Sequence, residues 1–128
     1  MRLIYIAGPY TAAHPVDRHA HVERARAAAR HVALAGAVPV TPHLLSVGLE
    51  DIRDEQWWAD ATMDVLAACD ALVLLPGWQD SRGCVRELAY AEAAGLPVVC
   101  RGLDGAELRG AVARWLEEQT SSVRSAGK

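Results

Sequence analysis

The sequence predicts an α/β sandwich, with helices on both faces of a parallel sheet of four or five strands. Three observations carry that expectation. Short apolar runs end at glycine or proline, as at Leu3 to Ala7 before Gly8-Pro9 and at Ala71 to Leu75 before Pro76-Gly77. Between them lie longer stretches whose apolar residues recur at helical spacing. The strand runs are continuously apolar rather than alternating, the pattern of strands covered on both faces. Strand–helix alternation with right-handed crossovers then yields three layers.

Each element follows from its residues. Leu3-Ile4-Tyr5-Ile6-Ala7 reads as the first strand. Asp17 is suited to cap a helix running to about Ala35, where Gly36 supplies the left-handed stop. Its alanines, Val22, Val32 and Leu34 are expected inward, and Arg18, Glu23, Arg24, Arg26 and Arg30 outward. Val38 to Thr41 reads as a short second strand, with Pro39 marking a sheet edge. A loop through Pro42-His43 leads to a helix from about Glu55 to Cys69, and Ala71 to Leu75 forms the third strand. Ser81 is placed to cap a third helix that ends at Gly95, followed by the fourth strand, Leu96 to Cys100. Asp104 starts a last helix to about Glu118, so residues 1–118 read as one domain and 119–128 as a polar tail. The expected strand order is 2-1-3-4, flavodoxin-like or Rossmann-like. It places the loops Gly8 to Pro15 and Pro76 to Arg82 at the topological switch point, where open parallel sheets bind ligands.

The bulk properties narrow the function. A length of 128 residues suffices for one core, and a net charge of −3 argues against a protein that lives on nucleic acid or an anionic membrane. No apolar run approaches the length of a membrane span, and Gly8-Pro9 interrupts the only N-terminal apolar run. Cys69, Cys84 and Cys100 are odd in number and form no C-x-x-C pair, which reads as reduced, buried thiols in a cytoplasmic protein. The dinucleotide G-x-G-x-x-G, the phosphate-loop G-x-x-x-x-G-K-[ST] and the G-x-S-x-G elbow are all absent. His19 and His21 lack further convergent ligands, so neither a metal nor an organic cofactor is expected.

What remains is Glu87. It falls one turn into the helix opened by Ser81, Arg82 and Gly83, after the third strand and Gly77. Helix N-termini bind anions, and a glycine there lets a ligand approach the backbone. The plainer alternative is a solvated carboxylate paired with Arg86 or Arg82. Tyr5, two residues before the end of its strand, can bring its hydroxyl to the switch point. Asp64 lies in mid-helix among Val65, Leu66 and Ala68 and either faces the site or is simply exposed. Of the adjacent Trp57 and Trp58, one is expected in the core or an interface and the other free to stack on a base. The acidic series from Glu50 to Asp64 reads as a solvated face.

Taken together, Tyr5-Ile6-Ala7-Gly8-Pro9, Asp64 ahead of Ala68-Cys69-Asp70-Ala71, and Ser81-x-Gly83-x-x-x-Glu87-Leu88-x-x-Ala91 before Gly95-x-Pro97-Val98 resemble the nucleoside 2-deoxyribosyltransferase-like superfamily. The resemblance covers residues 3 to about 100. It implies that Glu87 is a nucleophile attacking C1' of a nucleotide, that Tyr5 orients it, and that Asp64 serves the leaving base. Ser81 in place of the transferases' aspartate implies a 5'-monophosphate substrate, held with Gly83 and Arg82. Gly8, Pro9, Tyr10, His43, Trp58 and Gly77 are the further candidates for lining the substrate. The first loop, Pro9 to His14, departs from the Gly/Arg-rich loop of the hydrolases, with Tyr10, His14 and Arg18 as substitutes for its phosphate contacts. The implied activity is an N-glycosidase yielding free base and (deoxy)ribose 5-phosphate, in a homodimer with shared sites. Base exchange between nucleosides, a non-catalytic nucleotide-binding module and a scaffold protein are the alternatives.

Overall fold

The computed structural model describes residues 1–10 and 15–126. Four strands, β1 (Leu3–Ala7), β2 (Val38–Val40), β3 (Ala71–Leu74) and β4 (Val98–Arg101), form one parallel sheet in the order β2-β1-β3-β4. Four helices join and flank them: α1 (Pro15–Ala35), α2 (Glu55–Ala67), α3 (Arg82–Ala94) and α4 (Gly105–Ala126). The expected three-layer sandwich and strand order are thus the observed ones.

Two apolar layers sandwich the sheet. Ile4, Ile6, Ala71, Val73 and Cys100 point to one side and pack under α1 and α4, against Ala28, Val32, Leu108, Val112 and Trp115. Tyr5, Ala7, Leu72 and Leu74 point to the other, beneath Leu66 of α2 and Cys84, Leu88 and Ala91 of α3. The two-residue alternation of strands separates the layers, and continuous burial along β3 explains its unbroken apolar run. Asp70 fixes the start of β3 beside β1: its carboxylate accepts from Leu3 N at 2.7 Å, while its own N–H donates to Leu3 O at 2.8 Å.

Several boundaries differ from the sequence reading. Helix α1 starts at Pro15, which places Asp17 in the first turn rather than at the cap. Proline is favoured at a first helical position because its missing N–H has no partner to lose there. Leu34 is 64% exposed, not inward. Helix α2 ends at Ala67, capped at its start by Asp54, which accepts from Trp57 N. Leu75 is buried but lies beyond the β3 ladder, still tied to Ala7 O by its N–H. The fourth strand begins at Val98 and runs to Arg101. Helix α4 does not stop near Glu118 but continues to Ala126, so most of the polar segment read as a tail is helical. No helix among the described residues is long and apolar enough to cross a membrane.

Candidate functional site

The C-terminal ends of β1 and β3 meet the start of α3. Leu75 and Gly8 approach so closely that a Cβ on Gly8 would stand 3.0 Å from Leu75 Cδ1. Gly77 adopts φ 87°, a left-handed conformation natural to glycine, and a side chain there would also meet Pro9 Cγ at 3.3 Å. These two glycines let the loops after β1 and β3 close on one another. A single 3-10 turn, Trp78–Asp80, then delivers the chain to Ser81.

Ser81 caps α3 as its sequence position predicts, its Oγ accepting from Cys84 N at 3.3 Å. The first backbone bond of the helix is Val85 N to Ser81 O at 3.0 Å. The N–H groups of Arg82 and Gly83 therefore precede the helical ladder and face outward from its end. Gly83 lies between two oxygens: a Cβ built there would sit 3.9 Å from both Ser81 Oγ and Glu87 Oε1. The Glu87 carboxylate thus folds back along its helix toward the N-terminus, as the tilt of helical side chains dictates. Asp80 and Arg82 flank this end with opposite charges, both exposed.

Glu87 is not the solvated, paired carboxylate of the plainer alternative. Only 8% exposed, it leaves Oε2 buried without a hydrogen-bond partner. Arg86 turns away to Asp60 of α2 at 3.3 Å. Burial pushes the Glu87 carboxyl up to about 7, against smaller opposing effects of the Tyr5 hydroxyl and Arg86. Tyr5 is fully buried, and its hydroxyl has no partner of standard hydrogen-bond geometry. Yet Glu87 lies near enough that, after burial itself, its charge is the main influence raising the phenol's pKa. The two form a coupled pair across the β1–α3 contact.

His43, also buried, donates through Nε2 to Pro9 O at 2.9 Å, which leaves Nδ1 as an unpartnered acceptor. Burial lowers its pKa and keeps the ring neutral. Tyr10 packs edge-on against it at 5.3 Å, with Arg18 over the Tyr10 ring at 5.8 Å. His43 thus secures the Gly8-Pro9-Tyr10 backbone from inside, and it is not a surface residue. His14 lies outside the described residues. Trp58 is half-buried with an unpartnered Nε1, while Trp57 is 45% exposed and meets it edge-on at 4.8 Å.

Asp64 stands apart. It is exposed on α2 and has no hydrogen-bond or ion-pair partner among the described residues, so the fold does not bring it into the buried Tyr5–Glu87 pair. The sequence reading did not single out Thr62, whose hydroxyl donates to Ala59 O at 2.8 Å and lies close enough to influence the Tyr5 phenol. A Thr two residues from Asp64 carries no distinguishing pattern; only packing reveals it. No group of three or more metal-ligating side chains occurs among the described residues.

Fold and site together define a parallel α/β protein with a buried carboxylate–tyrosine pair at an anion-receptive helix end. Residues 2–100 match the family described as "Domain of unknown function (DUF4406)", and the chain belongs to that family. No curated protein matches it. The family match stops at the end of β4, short of α4.

Proposed function

We propose that this protein hydrolyses the N-glycosidic bond of a (deoxy)nucleoside 5'-monophosphate, with Glu87 as nucleophile. One observation carries the reading: a carboxylate 8% exposed, lacking a cationic partner, beside Ser81 and Gly83 and coupled to a buried tyrosine. A charge buried this way is costly to a fold, and such groups cluster at functional sites.

In this mechanism the 5'-phosphate takes the free N–H groups of Arg82 and Gly83, with the Ser81 hydroxyl as a further donor. That anchor brings C1' to Glu87. A carboxylate oxygen attacks C1' as the C1'–N bond breaks through an oxocarbenium-like transition state, and the bond's electron pair leaves with the base. Glu87 must be ionised to attack, and Tyr5 donates to the charged form. The departing base takes its proton from Asp64 or from solvent. Water then attacks C1' of the glycosyl ester, releasing (deoxy)ribose 5-phosphate and restoring the carboxylate. The half-buried Trp58 is assigned to the base, and Gly8, Pro9, Tyr10, His43 and Gly77 to the walls. No metal or organic cofactor enters.

A second copy of the chain belongs to this proposal. Leu45, Val47, Leu49, Ile52 and Trp57 are 40 to 64% exposed along the segment leading into α2, an apolar surface suited to self-association. Buried, unpaired thiols suit a cytoplasmic setting.

The test is incubation with ribo- and deoxyribonucleoside 5'-monophosphates beside the unphosphorylated nucleosides, followed by chromatography for free base. Release from monophosphates alone, lost in Glu87→Ala, is expected. Asp64→Ala separates the two proton sources: an unchanged rate assigns the proton to solvent. New nucleosides on adding a free base would establish transfer instead. Stabilisation by a nucleotide without turnover would reduce the reading to a binding module.

A further inference from the structure

The opposite side of the sheet carries a second cleft, of about 260 Å³, between α1 and the start of α4. Helix α1 lines it with His21, Arg24, Ala27, Ala28 and His31, which recur at the three- and four-residue spacing of one helical face. The two alanines leave room where a larger residue would fill the space. Gly8, Pro9, Leu75 and Pro76 add the wall at the sheet's C-terminal edge, and Asp104 and Gly105 form the facing rim.

The polar groups converge with capacity to spare. Arg24 has no ion-pair partner among the described residues, whereas its neighbours Glu23 and Arg26 pair with each other at 3.7 Å. His21 donates through Nδ1 to Tyr10 O at 3.3 Å, which leaves Nε2 free. His31 Nδ1 is buried with no partner. Across the cleft, the first bond of the 22-residue helix α4 is Leu108 N to Asp104 O, so the N–H groups of Gly105, Ala106 and Glu107 are not used by the helix. Asp104 is the one acidic lining residue and lies exposed at the rim. The Arg24 guanidinium and the positive end of a long helix oppose its charge.

We propose that this cleft binds the phosphate group of a small phosphorylated compound, with Arg24, His31 and the α4 N-terminus on the phosphate and Ala27, Ala28 and Leu75 against its carbon skeleton. The volume is close to the lower end of ligand pockets and suits a short sugar or polyol phosphate better than a whole nucleotide. The site shares Gly8 and Pro9 with the walls of the proposed nucleotide site but lies across the sheet from Glu87, and it does not depend on the glycosidase reading.

The test is amide NMR of the full chain titrated with inorganic phosphate and, separately, with glycerol 3-phosphate. Saturable shifts are expected in residues 21–31 and 104–107. Arg24→Ala, at an exposed position that the fold does not need, should weaken binding by about tenfold or more. His31→Gln should weaken it less, and Glu87→Ala not at all. Tighter binding of the ester than of free phosphate would show that the apolar wall contributes; equal binding would assign recognition to the phosphate alone. No saturable shift at millimolar ligand, shifts confined to residues 81–84, or an affinity untouched by Arg24→Ala would overturn the proposal.

Discussion

Replacing Glu87 with glutamine should make the protein more stable, and by an amount that depends on pH. The folded chain holds the Glu87 proton up to about pH 7, whereas an unfolded chain releases it near 4.5. Below 4.5 the group is protonated in both states and contributes no pH dependence. Between the two values the folded state retains a proton that the unfolded state has lost, so stability falls as pH rises, by about 1.4 kcal/mol per pH unit. Above pH 7 the whole cost is present, about 3 kcal/mol for an interval from 4.5 to about 7. Glutamine keeps the shape and cannot ionise. Its amide must find partners in the same buried space, which reduces the gain to about 2 kcal/mol at pH 8. For a domain of this size that corresponds to a rise in Tm of roughly 6–10 °C. The assay is thermal or urea denaturation of both proteins from pH 5 to pH 8, read as their difference so that the surface carboxylates cancel. A difference that grows with pH is expected. A difference that is flat with pH, or a glutamine variant less stable at pH 8, would show that Glu87 is not a destabilising buried charge and would remove the basis of the proposed function.

Further outcomes are expected. If turnover needs ionised Glu87, kcat/KM for the monophosphate substrate should fall as pH drops through about 7, and Tyr5→Phe, by removing a hydroxyl that lowers the Glu87 pKa, should move that limb to higher pH; a limb that stays in place in the variant would remove Tyr5 from the mechanism. Gly83→Ala should fold as well as the parent or better by up to about 1 kcal/mol, since the new methyl meets only ordinary contacts at 3.9 Å. The same methyl stands between Ser81 and Glu87, so nucleotide affinity should drop about tenfold by calorimetry, and unchanged affinity would move the ligand elsewhere. Leu108→Ala should cost about 2–5 kcal/mol in urea denaturation because the leucine is fully buried beneath the sheet, and truncation after residue 100 should leave a chain that does not fold, although the family match ends there.

How much of this was legible beforehand depended on whether the determinant was local. Ala71 to Leu75 and Leu3 to Ala7 announce buried strands because they are apolar at every position, and Gly95 announces the end of α3 because a left-handed residue is needed there. Ser81 is a cap by its chemistry and its place, and the structure uses it so. The length of α4 was not legible. Its last turns, from Gln119 onward, are polar, and a polar stretch at a chain end reads equally as tail or as exposed helix.

The sequence by itself determined the layers, the strand order and the nomination of Glu87 and Tyr5, since all of these rest on periodicity, turn chemistry and topology rules that act over a few residues at a time. Only the tertiary structure decided what those side chains are to each other. Whether Glu87 was solvated or buried turned on Arg86, which could have paired with it but reaches Asp60 on a helix far away in the chain. His43 is held inside by its bond to the Pro9 carbonyl, 34 positions earlier. Asp64 and Leu34 read as inward candidates and stand exposed, because the face a helix buries is set by the neighbour it packs against. Burial and partnership are properties of pairs distant in sequence, and they are what convert a helix carboxylate into one that titrates near neutrality.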